Sequence, residues 1–205
     1  MIDKNYLAYA LGNNALFTSR IFLPAFLIAL AIRFPEFAPF LGIEPIPAND
    51  LWIAKDEVLI GLGIFAFAER WANENPEVYK FIDQVDRYLK LGVTIAVNTT
   101  VLEPQVAKAI FNISEGGIGG NAIPIAVAAS TPVFFLANFR KEILSYLRSL
   151  DEENDIGLLT LANWLEDGWI FFGVIFLLVL PLVTIFLILI GFLILVVINK
   201  SIKAH

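Results

Sequence analysis

The apolar positions of this chain fall mostly into long unbroken runs, divided by short polar interruptions. The first run reaches from about Tyr6 to Phe34. As one helix it would be about 40 Å long, more than the roughly 30 Å hydrocarbon core of a bilayer. The sequence predicts a break at Gly12-Asn13-Asn14, with a short leading helix before it and a span from Ala15 to Phe34 after it. The proline-rich stretch "PEFAPFLGIEPIPAND" then reads as a loop. Asp50 stands where it would cap a second helix through "LWIAKDEVLIGLGIFAFAERWA", whose crossing part is Val58 to Trp71.

The periodicity changes at "NPEVYKFIDQVDRYLK". Val78, Phe81, Ile82, Val85 and Leu89 share one helical face, and Lys80, Asp83, Gln84 and Arg87 the other. Asn75 suits the N-cap, Pro76 the first turn and Glu77 the positive end of the dipole. Residues 75–90 therefore form an amphipathic helix, expected to lie flat at a membrane interface. A catalytic use of Asp83 and Asp86 is the alternative, and the structural role is preferred.

"LGVTIAVNTTVL" is short for a span and crosses only if extended at its start. A glycine cluster follows at Gly116, Gly117, Gly119 and Gly120; it lacks the Lys-Ser/Thr of a nucleotide loop, and a flexible turn or close helix crossing is preferred to a backbone anion cradle. "IPIAVAASTPVFFLANF" is interrupted at Ser130-Thr131-Pro132 and stopped by Arg140-Lys141, which open a cytoplasmic loop over residues 140–157. From Gly168 to Asn199 no charge occurs at all. As one helix that run would be about 48 Å long, so a hairpin broken at Pro181 is expected.

Lys and Arg collect on cytoplasmic flanks. Arg70, Lys80, Arg87 and Lys90 mark one such flank, and Arg140, Lys141 and Arg148 another. Lys200 and Lys203 join them only if the last run crosses twice, and Lys4 is placed on the same side. The expected fold is an all-α, polytopic transmembrane bundle with interrupted helices. It makes about six crossings within a single membrane domain over residues 1–205, with both termini cytoplasmic.

Composition agrees with a lipid environment. The 205 residues are 58% apolar and 17% charged, with a mean hydropathy of +0.75, against about 45–50% and about 25% for a soluble domain. The start "MIDKNYLAYALGNN" does not read as a cleavable leader. There is no cysteine, and the single histidine is His205. That leaves no thiolate nucleophile, disulfide, thiolate-held metal or histidine-held haem, and neither metal nor cofactor is expected. The net charge of −6 and the lack of a basic patch argue against nucleic acid.

Candidate chemistry then rests on amides, hydroxyls, carboxylates and arginine. Arg20 is the leading residue, in a polar group with Asn13, Asn14, Thr18 and Ser19. A charge inside an apolar segment costs several kcal/mol, so it is either sheltered by protein or snorkels to the interface. Glu69, Glu166 and Asp167 fall at the same ends of their spans and form the expected charge cluster. That cluster is a helix clamp in one reading and a titrating site in the other.

At this point "FTSRIFLPAFLIALAIRF" resembles the opening motif of the bacterial DUF forty-one twenty-six membrane family. Ser19, Arg20, Phe22, Leu23 and Pro24 are the matching residues. Glu69, Ala72, Pro76 and Asp83 are similar to the family's second motif, and Glu166, Asp167 and Pro181 to its last. Asn73-Glu74 departs from the acidic–basic pair usual there, and the match is poor between Val101 and Leu150. The resemblance implies a polytopic inner-membrane protein of a family without an assigned activity.

The leading functional expectation is a small transporter or channel-like protein of the bacterial inner membrane, passing a small ion or solute through a polar site around Arg20. Because 205 residues is small for a complete carrier, a homo-oligomer is expected. The alternative is a non-transporting scaffold or accessory subunit that docks a protein partner on residues 75–90. An enzyme is set aside: Glu166 and Asp167 are adjacent on a helix and point about 100° apart, so they do not share one substrate atom.

Overall fold

Four helices of this protein turn large apolar side chains outward while burying polar ones beside an apolar core. The computed structural model describes residues 4–34, 51–102, 106, 122–154, 157–179 and 190. Among them are six α-helices: α1 (Lys4–Ser19), α2 (Phe22–Arg33), α3 (Asp56–Glu74), α4 (Pro76–Val101), α5 (Ala122–Asn154) and α6 (Leu158–Val179). A 3₁₀ turn, Trp52–Ala54, precedes α3. The all-α class is as expected.

Side-chain contacts fix the helix directions. Asn13 on α1 meets Asn98 near the end of α4, whereas Arg20 meets Asn163 near the start of α6. Helix α2 returns, because its first residues meet Glu69 at the end of α3 and its last, Arg33, meets Asp56 at the start of α3. Helices α4, α5 and α6 alternate in the same way, through the pairs Asn98–Ser130 and Arg140–Glu166. The start of α1 thus lies at the end of the bundle opposite the arginine-rich helix ends. The expectation that Lys4 shares their side is not met.

The break in the first run also moves. It falls at Arg20-Ile21, not at Gly12-Asn13-Asn14, which α1 crosses without interruption. Pro24 supplies the reason. It has no N–H for the carbonyl four residues back, that of Arg20, and its ring crowds that carbonyl, which weakens the helix there, and Glu69 takes up the freed Ile21 and Phe22 N–H groups. Asn13 and Asn14 need no break because their side chains find partners on other helices.

Two further segments differ from expectation. Residues 75–90 are not a separate interfacial helix but the first half of α4, since neither proline nor paired glycine stops the helix before Val101. Residues 140–154 are likewise the end of α5 rather than a loop, and Pro132 lies inside that helix. Asn75 does cap α4, its Oδ1 accepting from the Val78 N–H at 3.5 Å. Helix α3 starts at Asp56, after the 3₁₀ turn. The proline-rich loop with Asp50, the glycine cluster and the hairpin at Pro181 lie outside the described residues.

The core joins α1 and α2 to the other helices through Leu16, Phe17, Ile28, Ile32, Val97 and Ile170, among others. At its tightest, the α1–α6 crossing leaves room only for Gly173: a Cβ there would stand 2.5 Å from Leu16 Cδ2. Outside this core the pattern inverts. Helix α3 exposes Ile60, Ile64, Phe65 and Phe67, the last at 74%, yet buries Glu69. Helix α4 exposes Val85, Tyr88 and Leu89 and buries Lys90 completely. Helix α5 exposes Phe135 and buries Ser130, and α6 exposes Leu165 and Phe172 and buries Asn163.

Two helices are long and apolar enough to cross a membrane, Ile123–Leu150 in α5 and Thr160–Leu178 in α6. Only 22% and 33% of their most apolar windows are buried, unlike the core helix of a soluble protein. By this measure the expectation of about six crossings is met at two. Helix α2 has 12 residues and is too short, and the first half of α4 carries charge.

Candidate functional site

The reversal at Arg20-Ile21 leaves the first N–H groups of α2 without intrahelical acceptors. Ile21, at the N-cap, has no side chain that could serve. Glu69 reaches over from α3 instead. Its Oε1 accepts from the Ile21 N–H at 2.7 Å and its Oε2 from the Phe22 N–H at 3.0 Å. The carboxylate therefore caps α2 from outside, where the helix dipole favours negative charge. The Arg20 N–H still donates to the Leu16 carbonyl and finishes α1.

Freed from the helix, the Arg20 side chain turns into the bundle and is 2% exposed. Its Nη2 donates to Asn163 Oδ1 at 3.1 Å. Its Nε lies 3.3 Å from Asp167 Oδ1 and 3.8 Å from Glu166 Oε2. The α6 spacing explains this set, because Asn163, Glu166 and Asp167 lie three and four residues apart on one face. Arg20 is therefore sheltered by protein and held by carboxylates. Glu69, expected as another direct partner, is committed to the α2 backbone.

The carboxylates on α6 are shared. Arg140 on α5 makes a bidentate pair with Glu166, Nε and Nη2 each donating at 2.7 Å. Arg70 on α3 pairs with Asp167 and lies over the Trp164 ring, 4.4 Å from its centroid. On α4, Lys90 Nζ lies 2.6 Å from Asp86 and within electrostatic reach of Glu69 and Arg140. Arg20, Arg70, Lys90 and Arg140 thus face Glu69, Asp86, Glu166 and Asp167. Among the described residues, four cations meet four carboxylates there.

A second polar layer lies toward the other end of the bundle. Asn13 Nδ2 donates to Asn98 Oδ1 at 2.8 Å, and Asn98 Nδ2 to Ser130 Oγ at 2.8 Å. Asn14 Nδ2 donates at 2.6 Å to the Ala129 carbonyl, one turn before Pro132, where the proline ring loosens the helix backbone. Beyond it, Trp52 Nε1 donates to Thr100 Oγ1 at 2.8 Å. From Lys90 to Asn98 is eight residues of one helix, about 12 Å, and from Arg20 to Asn13 about 10 Å. Thr94 lies between on α4, fully buried. Lys90, Thr94 and Asn98, spaced by four, make one buried polar stripe.

Arg20 Nε and Lys90 Nζ are matched only by nearby carboxylates, and Arg20 Nη1, Asn163 Nδ2, Asn13 Oδ1 and Asn14 Oδ1 are buried along this axis with neither a hydrogen-bond nor an ion-pair partner among the described residues. Thr18 and Ser19 take no part, since their hydroxyls bond back to the Asn14 and Ala15 carbonyls of their own helix. Asn13 and Asn14 stand in the amide layer, two turns from Arg20. Sequence reasoning missed Asn163, Arg70, Arg140, Lys90, Asp86 and Asn98 as site residues. Spacing carried a signal for two groups of them: Asn163 precedes the acidic pair by three and four, and Asp86, Lys90, Thr94 and Asn98 recur every four. No group of three carboxylates or histidines gathers to hold a metal among the described residues. No family model matches the chain, and neither a curated protein nor a solved structure matches it.

Proposed function

We propose that this is an integral membrane protein whose buried polar axis, from the Asn13–Asn98–Ser130 layer to the Arg20 network, passes a small ion or solute. The observation that carries the reading is the inversion of polarity on α3, α4, α5 and α6. Water outside a bundle would favour the opposite arrangement, and exposed aromatic and aliphatic faces of this extent need an apolar surrounding. Polar groups kept inside such a bundle cost free energy, and they persist where they mark a path or a site.

The resemblance of three short motifs to the DUF forty-one twenty-six family supports placement in a bacterial inner membrane. The positive residues of Arg70, Arg87 and Arg140 support a cytoplasmic position for the network end, with the start of α1 on the opposite side. A homo-oligomer fits the small size of the chain. Reconstitution in liposomes tests the function. Arg20→Gln is expected to abolish solute flux while the protein still inserts and remains monodisperse; undiminished flux overturns the role given to Arg20.

The completeness of the ion pairing favours a second reading, in which the network is a fixed clamp and the chain a non-transporting accessory subunit. Its docking face would be the exposed Val85, Tyr88 and Leu89 stripe on α4. Purification in mild detergent separates the two. A stoichiometric second protein supports docking, and a homo-oligomer active in liposomes supports transport.

A further inference from the structure

Resting on the transport reading, we infer that the solute is a small uncharged molecule bearing both hydrogen-bond donors and acceptors, of the urea or glycerol class. Two sets of unsatisfied atoms carry the inference. At the network end, Asn163 Oδ1 accepts from a guanidinium, which only donates, so the orientation of that amide is fixed and its Nδ2 points away as a free donor. Arg20 Nη1 is a second free donor beside it. In the amide layer, Asn14 Nδ2 donates to a backbone carbonyl, which only accepts, so Asn14 Oδ1 is fixed as a free acceptor. Asn13 Oδ1 is unpartnered beside it in the orientation that donates to Asn98.

A solute moving along this axis meets donors in one layer and acceptors in the other. A molecule with both kinds of group satisfies each in turn. An ion does not. Between the layers the buried residues described include Leu16, Phe17, Thr94, Val97 and Ile170, none of them charged, over about 10 Å. At the network end a cation meets the Arg20 guanidinium, and an anion meets Glu166 and Asp167 within 4 Å of that guanidinium. Four cations and four carboxylates stand there among the described residues, so a charged solute of either sign meets groups of its own sign at close range, whereas a neutral molecule does not.

Permeability of proteoliposomes tests this, with urea and glycerol followed by light scattering and potassium and chloride by ion-sensitive dyes. The expected result is urea or glycerol entry severalfold faster than in protein-free vesicles, no added ion flux, and loss of the solute flux in Asn14→Leu. Asn13→Ala, a smaller change at the second acceptor, gives the same reading should Asn14→Leu fail to fold, and is expected to reduce the flux. Ion flux without urea or glycerol flux overturns the inference and leaves the transport reading standing. Solute flux unchanged in well-folded variants at both positions overturns the assigned atoms. No flux of any probe overturns the transport reading itself.

Discussion

Glu69→Gln separates the cap on α2 from the rest of the charge network. In the native protein both oxygens of Glu69 are engaged, one by the Ile21 N–H and one by the Phe22 N–H. Glutamine keeps one acceptor. Its amide nitrogen is a donor, and it meets the second backbone N–H donor to donor. One charge-assisted hydrogen bond is lost, worth about 1.5–3 kcal/mol, and a buried N–H is left without an acceptor at about 1–3 kcal/mol. The two figures describe one event and overlap, so the expected cost is about 2–4 kcal/mol. Glu69→Ala removes both acceptors and leaves Arg20 and Lys90 with one counter-charge fewer. Its cost is expected at about 3–5 kcal/mol.

The measurement is reversible unfolding in mixed micelles of mild detergent and dodecyl sulfate, followed by tryptophan fluorescence. Trp71 on α3 and Trp164 and Trp169 on α6 report on the helices that meet at the network. The order expected is wild type, then Gln, then Ala. A Glu69→Gln protein within about 0.5 kcal/mol of wild type, the range of an uninvolved surface change, refutes the argument that this carboxylate holds the reversal.

Arg140→Lys keeps the charge but replaces a two-pronged contact to Glu166 by a single one, and lysine does not reproduce a planar fork. A loss of about 1.5–3 kcal/mol is expected in the same assay, and wild-type stability in this variant refutes a role for bidentate geometry. Two glycine substitutions are expected to act with opposite signs. Gly157 has φ of +70° between α5 and α6, so Gly157→Ala costs about 1–2 kcal/mol although nothing crowds the new methyl. Gly92 is exposed and helical within α4 with open space beside it, so Gly92→Ala stabilises by up to about 1 kcal/mol. The same sign at both positions shows that helix context does not govern them.

The helical class was legible because uninterrupted apolar runs and capping residues are local signals, as at Asn75. Arg20, Glu166 and Asp167 were legible for a related reason: a charge inside an apolar segment is conspicuous whatever the fold. The position of the break was not. Asn13 and Asn14 look like an interruption in one dimension, but their amides are satisfied by Asn98 and Ala129, which lie 85 and 115 residues away in the chain. Pro24 was the local signal, acting four residues before itself. Lys90 escaped notice because its helix was sorted into an apolar and a charged face on the assumption that the apolar face turns inward. Here Val85 and Leu89 turn outward, and Lys90 and Asp86 face the network.

The order of polar groups along the bundle and the apolar character of its outside are one physical fact. An ionised side chain loses far more on leaving water than an amide or a hydroxyl does, and that loss shrinks toward an aqueous interface. A bundle in hydrocarbon can therefore carry ions only near one of its ends and in balanced sets, and it can carry amides deeper, each paired with another amide or a carbonyl. Among the described residues four cations and four carboxylates gather within one layer, at the end of α3 and the start of α2, beside the middle of α4 and α5 and the first half of α6. Among the described residues, the polar groups buried a further two to three turns along the axis, Asn13, Asn14, Asn98, Ser130 and Thr100, are neutral. A bundle in water has no reason to grade its interior in this way, since water reaches every outer face equally. The gradient and the outward-facing Phe67, Phe135 and Phe172 together fit a bundle whose outer face is apolar and whose ionic layer lies nearer water than its amide layer.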